Sequence, residues 1–173
     1  MKSVLISIQP KWCKLIANGK KTVEVRKTKP CIETPFKCYI YCTLSGSNEF
    51  FKEDCKGDIA EWNKSKMALK KGKVIGEFVC NEIINIFADE HCAYFHRTCL
   101  TNKEFDKYCD GLPCVKGWRI SDLVIYDHPK ELDEFRQCHK CEYHSNCKDA
   151  ECSCNGTYRL TRPPQSWCYV ESQ

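Results

Sequence analysis

Residues 19–26 read Gly19-Lys20-Lys21-Thr22-Val23-Glu24-Val25-Arg26. Just upstream, Trp12, Leu15 and Ile16 recur at i, i+3 and i+4 and predict a helix over residues 11–18 with a core-facing stripe. Gly19 is the glycine that commonly ends such a helix in a left-handed conformation. From there the period changes to two. Thr22, Glu24 and Arg26 share one face of a strand, and Val23 and Val25 point to the other. Neighbours on one strand face stand roughly 6.6 to 7 Å apart, so Glu24 and Arg26 can converge on one small polar ligand. Lys21 has the other parity but sits at the turn, where parity constrains little. An exposed edge of alternating charge shows the same pattern, and so does a Glu24–Arg26 ion pair that closes the sheet.

Around this octapeptide the chain reads as short strands with interspersed helices. Val4–Ile8 predicts an apolar strand, followed by Gln9-Pro10 at the helix entry, and residues 36–43 are β-branched and aromatic enough for another. Residues 45–72 predict a long insertion with one helix over 59–69. Val74 to Ile86 predicts the longest strand, with Val74, Phe78, Cys80, Ile84 and Ile86 on one face and Gly76 marking a bulge or bend. Thr101-Asn102-Lys103-Glu104 is a capping box that opens a helix through Phe105 and Tyr108, ending near Gly111. Residues 123–126 predict a strand, Pro129 the first turn of a helix over 131–136, and Pro163-Pro164 an extended entry to a last strand. Few βαβ units argue against a doubly wound parallel sheet.

The 173 residues, 42% hydrophobic and 29% charged, suit one domain with a real core and a small appendage. A net charge of +4 is too mild to prove a nucleic-acid partner. The basic residues do gather into two runs, Lys20 to Lys29 and Lys64 to Lys73, which can border a phosphate-tracking groove or simply be solvated surface. No run approaches the roughly 20 apolar residues of a membrane-spanning helix, and Val4–Ile8 is too short for a signal-peptide core. The sequence reading is of a cytoplasmic protein without a membrane partner.

Sixteen cysteines would suggest disulfides in a secreted chain, whereas in a cytoplasmic one thiols stay reduced. Most sit among apolar residues, as Cys38, Cys42 and Cys80 do, and read as small buried hydrophobes. Five crowd together: Cys138, Cys141, Cys147, Cys152 and Cys154. Cys138-x2-Cys141 has the spacing at which one tight turn presents two thiolates to a tetrahedral ion, and Cys147 with Cys154 or Cys152 supplies a second pair. The segment 137–156 is too polar to fold around its own core, so a structural zinc on Cys138, Cys141, Cys147 and Cys154 is the expectation. Local disulfides and a thiol-rich loop are the alternatives. Four thiolates leave no open position for catalysis, so this role is architectural.

Gly19, Lys21, Glu24 and Arg26 match the four fixed positions of Gly-x-Lys-x-x-Glu-x-Arg, and with the strand, Gln9-Pro10 and helix before them they resemble the ASCH domain, a PUA-like family. The closing Arg162-Pro163-Pro164-Gln165-Ser166-Trp167-Cys168-Tyr169-Val170 is similar to the end of phage-type ASCH proteins. The resemblance covers residues 1–130 and 160–173 and leaves the cysteine-rich insertion over 137–156 unaccounted for. It implies an α+β, mainly β fold: a small PUA-like barrel with peripheral helices and a cysteine-rich appendage.

For function the resemblance implies a cleft for RNA or a modified nucleoside. Arg26 would offer a planar fork to phosphate or a base edge, and Glu24 would accept from an exocyclic amine. Lys21 would supply a point charge near the mouth. Ser7, Gln9 and Trp12 would lie beside them, with Trp118 and Trp167 as candidate stacking surfaces, against the commoner reading of core or lid aromatics. The alternative is a small hydrolase, either a ribonuclease or an amidohydrolase acting on acylated cytidine. In the amidohydrolase pattern a lysine at the Lys21 position activates a threonine where this chain has Glu24. A glutamate cannot be that hydroxyl nucleophile, although Glu24 can direct a water while Lys21 or Arg26 stabilises an oxyanion. A third reading is an interaction adaptor with an inert barrel.

Overall fold

The computed structural model describes residues 2–44, 71–87, 94–138 and 157–173. Among these, eight strands form one sheet: β1 (Lys2–Ile8), β2 (Val23–Arg26), β3 (Phe36–Cys42), β4 (Val74–Phe87), β5 (Cys114–Lys130), β6 (Arg136–Cys138), β7 (Thr157–Arg159) and β8 (Trp167–Glu171). Their spatial order is β2-β5-β4-β3-β1-β8-β6-β7. Only β1 and β3 run parallel, joined through helix α1 (Pro10–Ala17) and β2. Helix α2 (Asn102–Cys109) and two 3-10 turns, Phe95–Thr98 and Leu132–Glu134, lie outside the sheet. The fold is α+β and mainly β.

The sheet is rolled. Trp118 on β5 and Trp167 on β8 have ring centroids 6.1 Å apart, although β4, β3 and β1 separate them in the ladder. In a flat sheet those four spacings would amount to about 19 Å. Two side-chain clasps fix the curl: Trp167 Nε1 donates to Thr28 Oγ1 at 3.1 Å, and the Cys31 amide donates to the Tyr169 hydroxyl at 2.6 Å. The inner core gathers Val4, Ile6 and Ile8 of β1, Cys38 and Ile40 of β3, Phe78 and Cys80 of β4, and Trp118, with Cys13 and Ile16 of α1 packed against them. The opposite face of β1 and β3 places Leu5, Tyr39 and Tyr41 against Phe135 and Val170. Apolar cover on both faces explains why these two strands read as nearly continuous hydrophobic runs. A third cluster packs Val23 and Val25 under Phe105 and Cys109 of α2.

Three expectations need correction. The buried stripe of α1 is Pro10, Cys13 and Ile16, with Trp12 and Leu15 half-buried; the helix is rotated so that Trp12 faces a cleft. The five residues assigned to one face of β4 divide among clusters: Val74 lies in the outer cluster, Phe78 and Cys80 in the inner one, and Ile86 beneath α2. Register shifts at Val74/Gly76, Glu77/Val79 and Cys80/Ile83 reset the alternation each time. Finally, β5 continues through Pro129 to Lys130, and one 3-10 turn replaces the predicted helix over 131–136. Phe135 is fully buried on Tyr39, at 4.9 Å between ring centroids, and this packing returns the chain to an extended conformation.

The predicted helix over 59–69 lies outside the described residues. So do Cys141, Cys147, Cys152, Cys154 and the side chain of Cys138. β6 and β7 pair from Arg136↔Arg159 to Cys138↔Thr157, so the chain on either side of the cysteine-rich stretch is held in one antiparallel ladder. Among the described residues, no group of three or more His, Cys, Asp or Glu is placed to hold a metal ion, and no helix is long and apolar enough to cross a membrane.

Candidate functional site

Helix α1 ends as its sequence dictates. Gly19 takes φ +69°, the Lys20 amide donates to Leu15 O at 2.9 Å, and the Gly19 amide donates to Ile16 O at 2.9 Å. This is the double-bonded left-handed cap that glycine permits. The turn sends Lys21 inward rather than to a mouth, which corrects the expected placement. Lys21 is 3% exposed, and its ammonium donates to Val23 O at 2.9 Å and to Thr98 O at 2.7 Å. It thereby ties β2 to the Phe95–Thr98 turn. Its nitrogen also lies 3.3 Å from Glu24 Oε2, an ion pair whose angle does not make a hydrogen bond.

Glu24 and Arg26 do converge. Arg26 Nη1 lies 2.8 Å from Glu24 Oε1 as an ion pair and donates to Val25 O at 3.2 Å, and Nη2 donates to Ser7 O at 2.6 Å. The guanidinium therefore stitches β2 to the end of β1 across the mouth of the rolled sheet. The ion pair and the cleft coexist: one net positive charge resides in Lys21, Glu24 and Arg26, and both Glu24 and Arg26 line a hollow of about 860 Å³.

The other walls of this cleft come from five places. Ser7 and Gln9 flank the end of β1, and Trp12 comes from α1. Tyr41 and Thr43 come from the end of β3, and Tyr108 from α2; residues 163–166 form the far side. Ser7 is partly spent on structure: its hydroxyl donates to Pro164 O at 2.6 Å and its amide to Ser166 O at 2.9 Å. Gln9 leaves its side chain out of the helix cap while its carbonyl accepts from the Trp12 and Cys13 amides. The Trp12 ring sits over two ammonium groups, Lys11 at 4.3 Å and Lys21 at 5.1 Å.

The two expected stacking tryptophans are elsewhere. Trp118 is wholly buried, edge-on to Phe36 at 5.7 Å, and offers no face to a guest. Trp167 is half-buried against Trp118 and Tyr169 and does not line the cleft. Sequence reasoning missed Tyr41, Thr43 and Tyr108 as wall residues. Tyr108 donates its hydroxyl to Val25 O at 3.2 Å; burial pushes its phenol up, and the Arg26 charge opposes that shift. The only sequence signal was its i+3 spacing from Phe105, which says it is buried but not against what.

Among the described residues, the buried cysteines do not look like nucleophiles. Burial pushes the Cys13, Cys38 and Cys80 thiols up, the last to about 12, as small core hydrophobes should behave. Cys42 is drawn down by the hydrogen bond from Cys13, yet it is fully buried. Lys21 is equally unsuited to act as a base. A neutral amine keeping both carbonyl bonds would turn its lone pair toward the Glu24 carboxylate.

No protein-family model and no curated protein matches the chain. Solved structures do. The chain is similar to an ASCH crystal structure from Zymomonas mobilis at TM-score 0.61 and 20% identity, covering 98% of this chain and 87% of that one. A serine-to-alanine variant of the Zymomonas mobilis ASCH protein matches at TM-score 0.60 and 18% identity, covering 98% and 88%. A tyrosine-to-phenylalanine variant matches at 0.55 and 21%, covering 78% of each chain. This likeness shows the fold.

Proposed function

We propose that this ASCH-fold chain binds one unpaired nucleotide, free or within single-stranded RNA, in the cleft beside Glu24 and Arg26. The observation that carries the reading is a guanidinium set in an aromatic-walled hollow. Arg26 anchors one end, and Trp12 and Tyr108, both partly exposed, line the hollow with it. Aromatic side chains of this kind stack on splayed bases, and Arg26 Nη2 keeps one hydrogen beyond its bond to Ser7 O with which to reach a phosphate or base edge. The volume of about 860 Å³ falls within the usual 300–1,000 Å³ of small-ligand sites and admits a nucleotide rather than a duplex.

The hydrolase alternative receives less support. Lys21 has its donors committed to Val23 O, Thr98 O and the Glu24 ion pair, and it does not line the cleft. Binding is tested by titrating nucleoside monophosphates and a short unstructured RNA against the protein and against Arg26→Ala. Binding by the parent and several-fold weaker binding by a folded variant is the expected result. Equal affinities would reduce Arg26 to a structural ion pair and overturn the reading. Tighter binding of the oligonucleotide than of the monophosphate identifies RNA as the partner.

A further inference from the structure

A hydrogen-bonding atom buried without a partner keeps its full desolvation penalty, so native proteins bury few of them. Among the described residues, three buried side-chain atoms lack a hydrogen-bond partner: Glu24 Oε2, Arg26 Nε and Trp118 Nε1. They are not scattered. Glu24 stands opposite Trp118 in the β2–β5 ladder, so their side chains leave the sheet on one face. Arg26, two residues on, shares that face and is held to Glu24 at 2.8 Å. The nearest cation, Lys21, approaches Glu24 Oε2 at 3.3 Å without hydrogen-bond geometry.

The chemistry of the three is complementary: one carboxylate acceptor and two N–H donors, on side chains 4%, 11% and 0% exposed. We propose that a buried water molecule is bound between Glu24, Arg26 and Trp118, accepting from Arg26 Nε–H and Trp118 Nε1–H and donating to Glu24 Oε2. Water has two lone pairs and two hydrogens, and buried waters typically make about three hydrogen bonds. A metal cation is disfavoured by the two N–H donors and by the adjacent Arg26 and Lys21 charges. An anion would face the Glu24 oxygen. A dry void would leave all three atoms unsatisfied. The inference does not rest on the proposed nucleotide, although Glu24 and Arg26 also line the cleft.

The test is a crystal structure of the ligand-free full chain at about 1.5 Å, together with water-to-amide cross-relaxation at the assigned Trp118 indole N–H. The expected result is a density peak 2.7–3.2 Å from at least two of the three atoms and a direct cross-peak to long-lived water at the indole. Loss of either signal overturns the inference, as does a structure in which the three atoms pair with protein groups. Neither measurement depends on a core variant that fails to fold.

Discussion

Replacing Lys21 with methionine keeps the length of the side chain and removes its charge and donors. The side chain is 2% exposed, so water cannot take over its bonds. Val23 O and Thr98 O each lose a donor, and the Glu24 carboxylate is left with Arg26 as its remaining counter-ion. An unsatisfied buried carbonyl costs roughly 1–3 kcal/mol, and breaking a buried ion pair roughly 3–5 kcal/mol. These terms overlap in one side chain, and apolar burial of the methionine offsets part of them. A net loss of about 4 kcal/mol follows, a large share of the roughly 5–15 kcal/mol that holds a domain folded. Urea unfolding of the variant measures it, with the m-value checking that the transition stays two-state. The Lys21→Met/Glu24→Gln double variant should lose at least about 1 kcal/mol less than the sum of the singles, because each removes the other's partner. A loss below about 1 kcal/mol for Lys21→Met would refute the claim that this lysine is a buried structural cation.

Three further outcomes follow from other parts of the molecule. The Lys11 ammonium, then the Thr101 backbone amide, hold the Glu104 carboxyl down to about 2 from an ordinary 4.5. A depressed carboxyl stabilises the fold above its unfolded value, so this contribution is present above pH 4.5 and lost as pH falls toward 2. Glu104→Gln should flatten stability across that window; superimposable profiles would contradict it. A Cβ at Gly76 would meet Val124 O at 2.3 Å, whereas one at Gly117 would meet side-chain carbons at 2.8 to 3.0 Å. Gly76→Ala should therefore cost more than about 2 kcal/mol and clearly more than Gly117→Ala, since backbone cannot swing aside; the reverse order in thermal melts would be inconsistent with the bulged β4–β5 pairing. The cysteine spacing proposes about one zinc per chain, measurable by metal analysis and lost from a Cys138/Cys141 double variant. A folded, metal-free protein with every thiol titratable would remove that proposal.

Local rules carried the backbone of residues 4–26 well, though not which face of α1 is buried. The glycine-ended helix, the strand parity and the convergence of Glu24 with Arg26 all depend on neighbours within a turn or two, and all appear in the structure. What failed depended on distant partners. Lys21 is drawn inward by Thr98, 77 residues away, and no periodicity in residues 19–26 encodes that carbonyl. Trp118 looks like any aromatic in a strand, and only its pairing opposite Glu24 and its packing on Phe36 commit it to the interior. The face of β4 could not be followed past Gly76 because bulges break a period of two without changing the composition. Pro129 resembled a helix start, yet the burial of Phe135 decides the local conformation. The wall residues Tyr41 and Tyr108 became visible only once the sheet was rolled.

The claim that the hollow beside Glu24 and Arg26 is a ligand site is tested most directly by mapping amide and indole resonances while a nucleoside monophosphate, and separately a short single-stranded RNA, is added. Saturable shifts centred on Ser7, Gln9, Trp12, Arg26 and Tyr108, and abolished in Arg26→Ala, are the result expected. Shifts confined to other surfaces, or none at millimolar ligand with either probe, would contradict it.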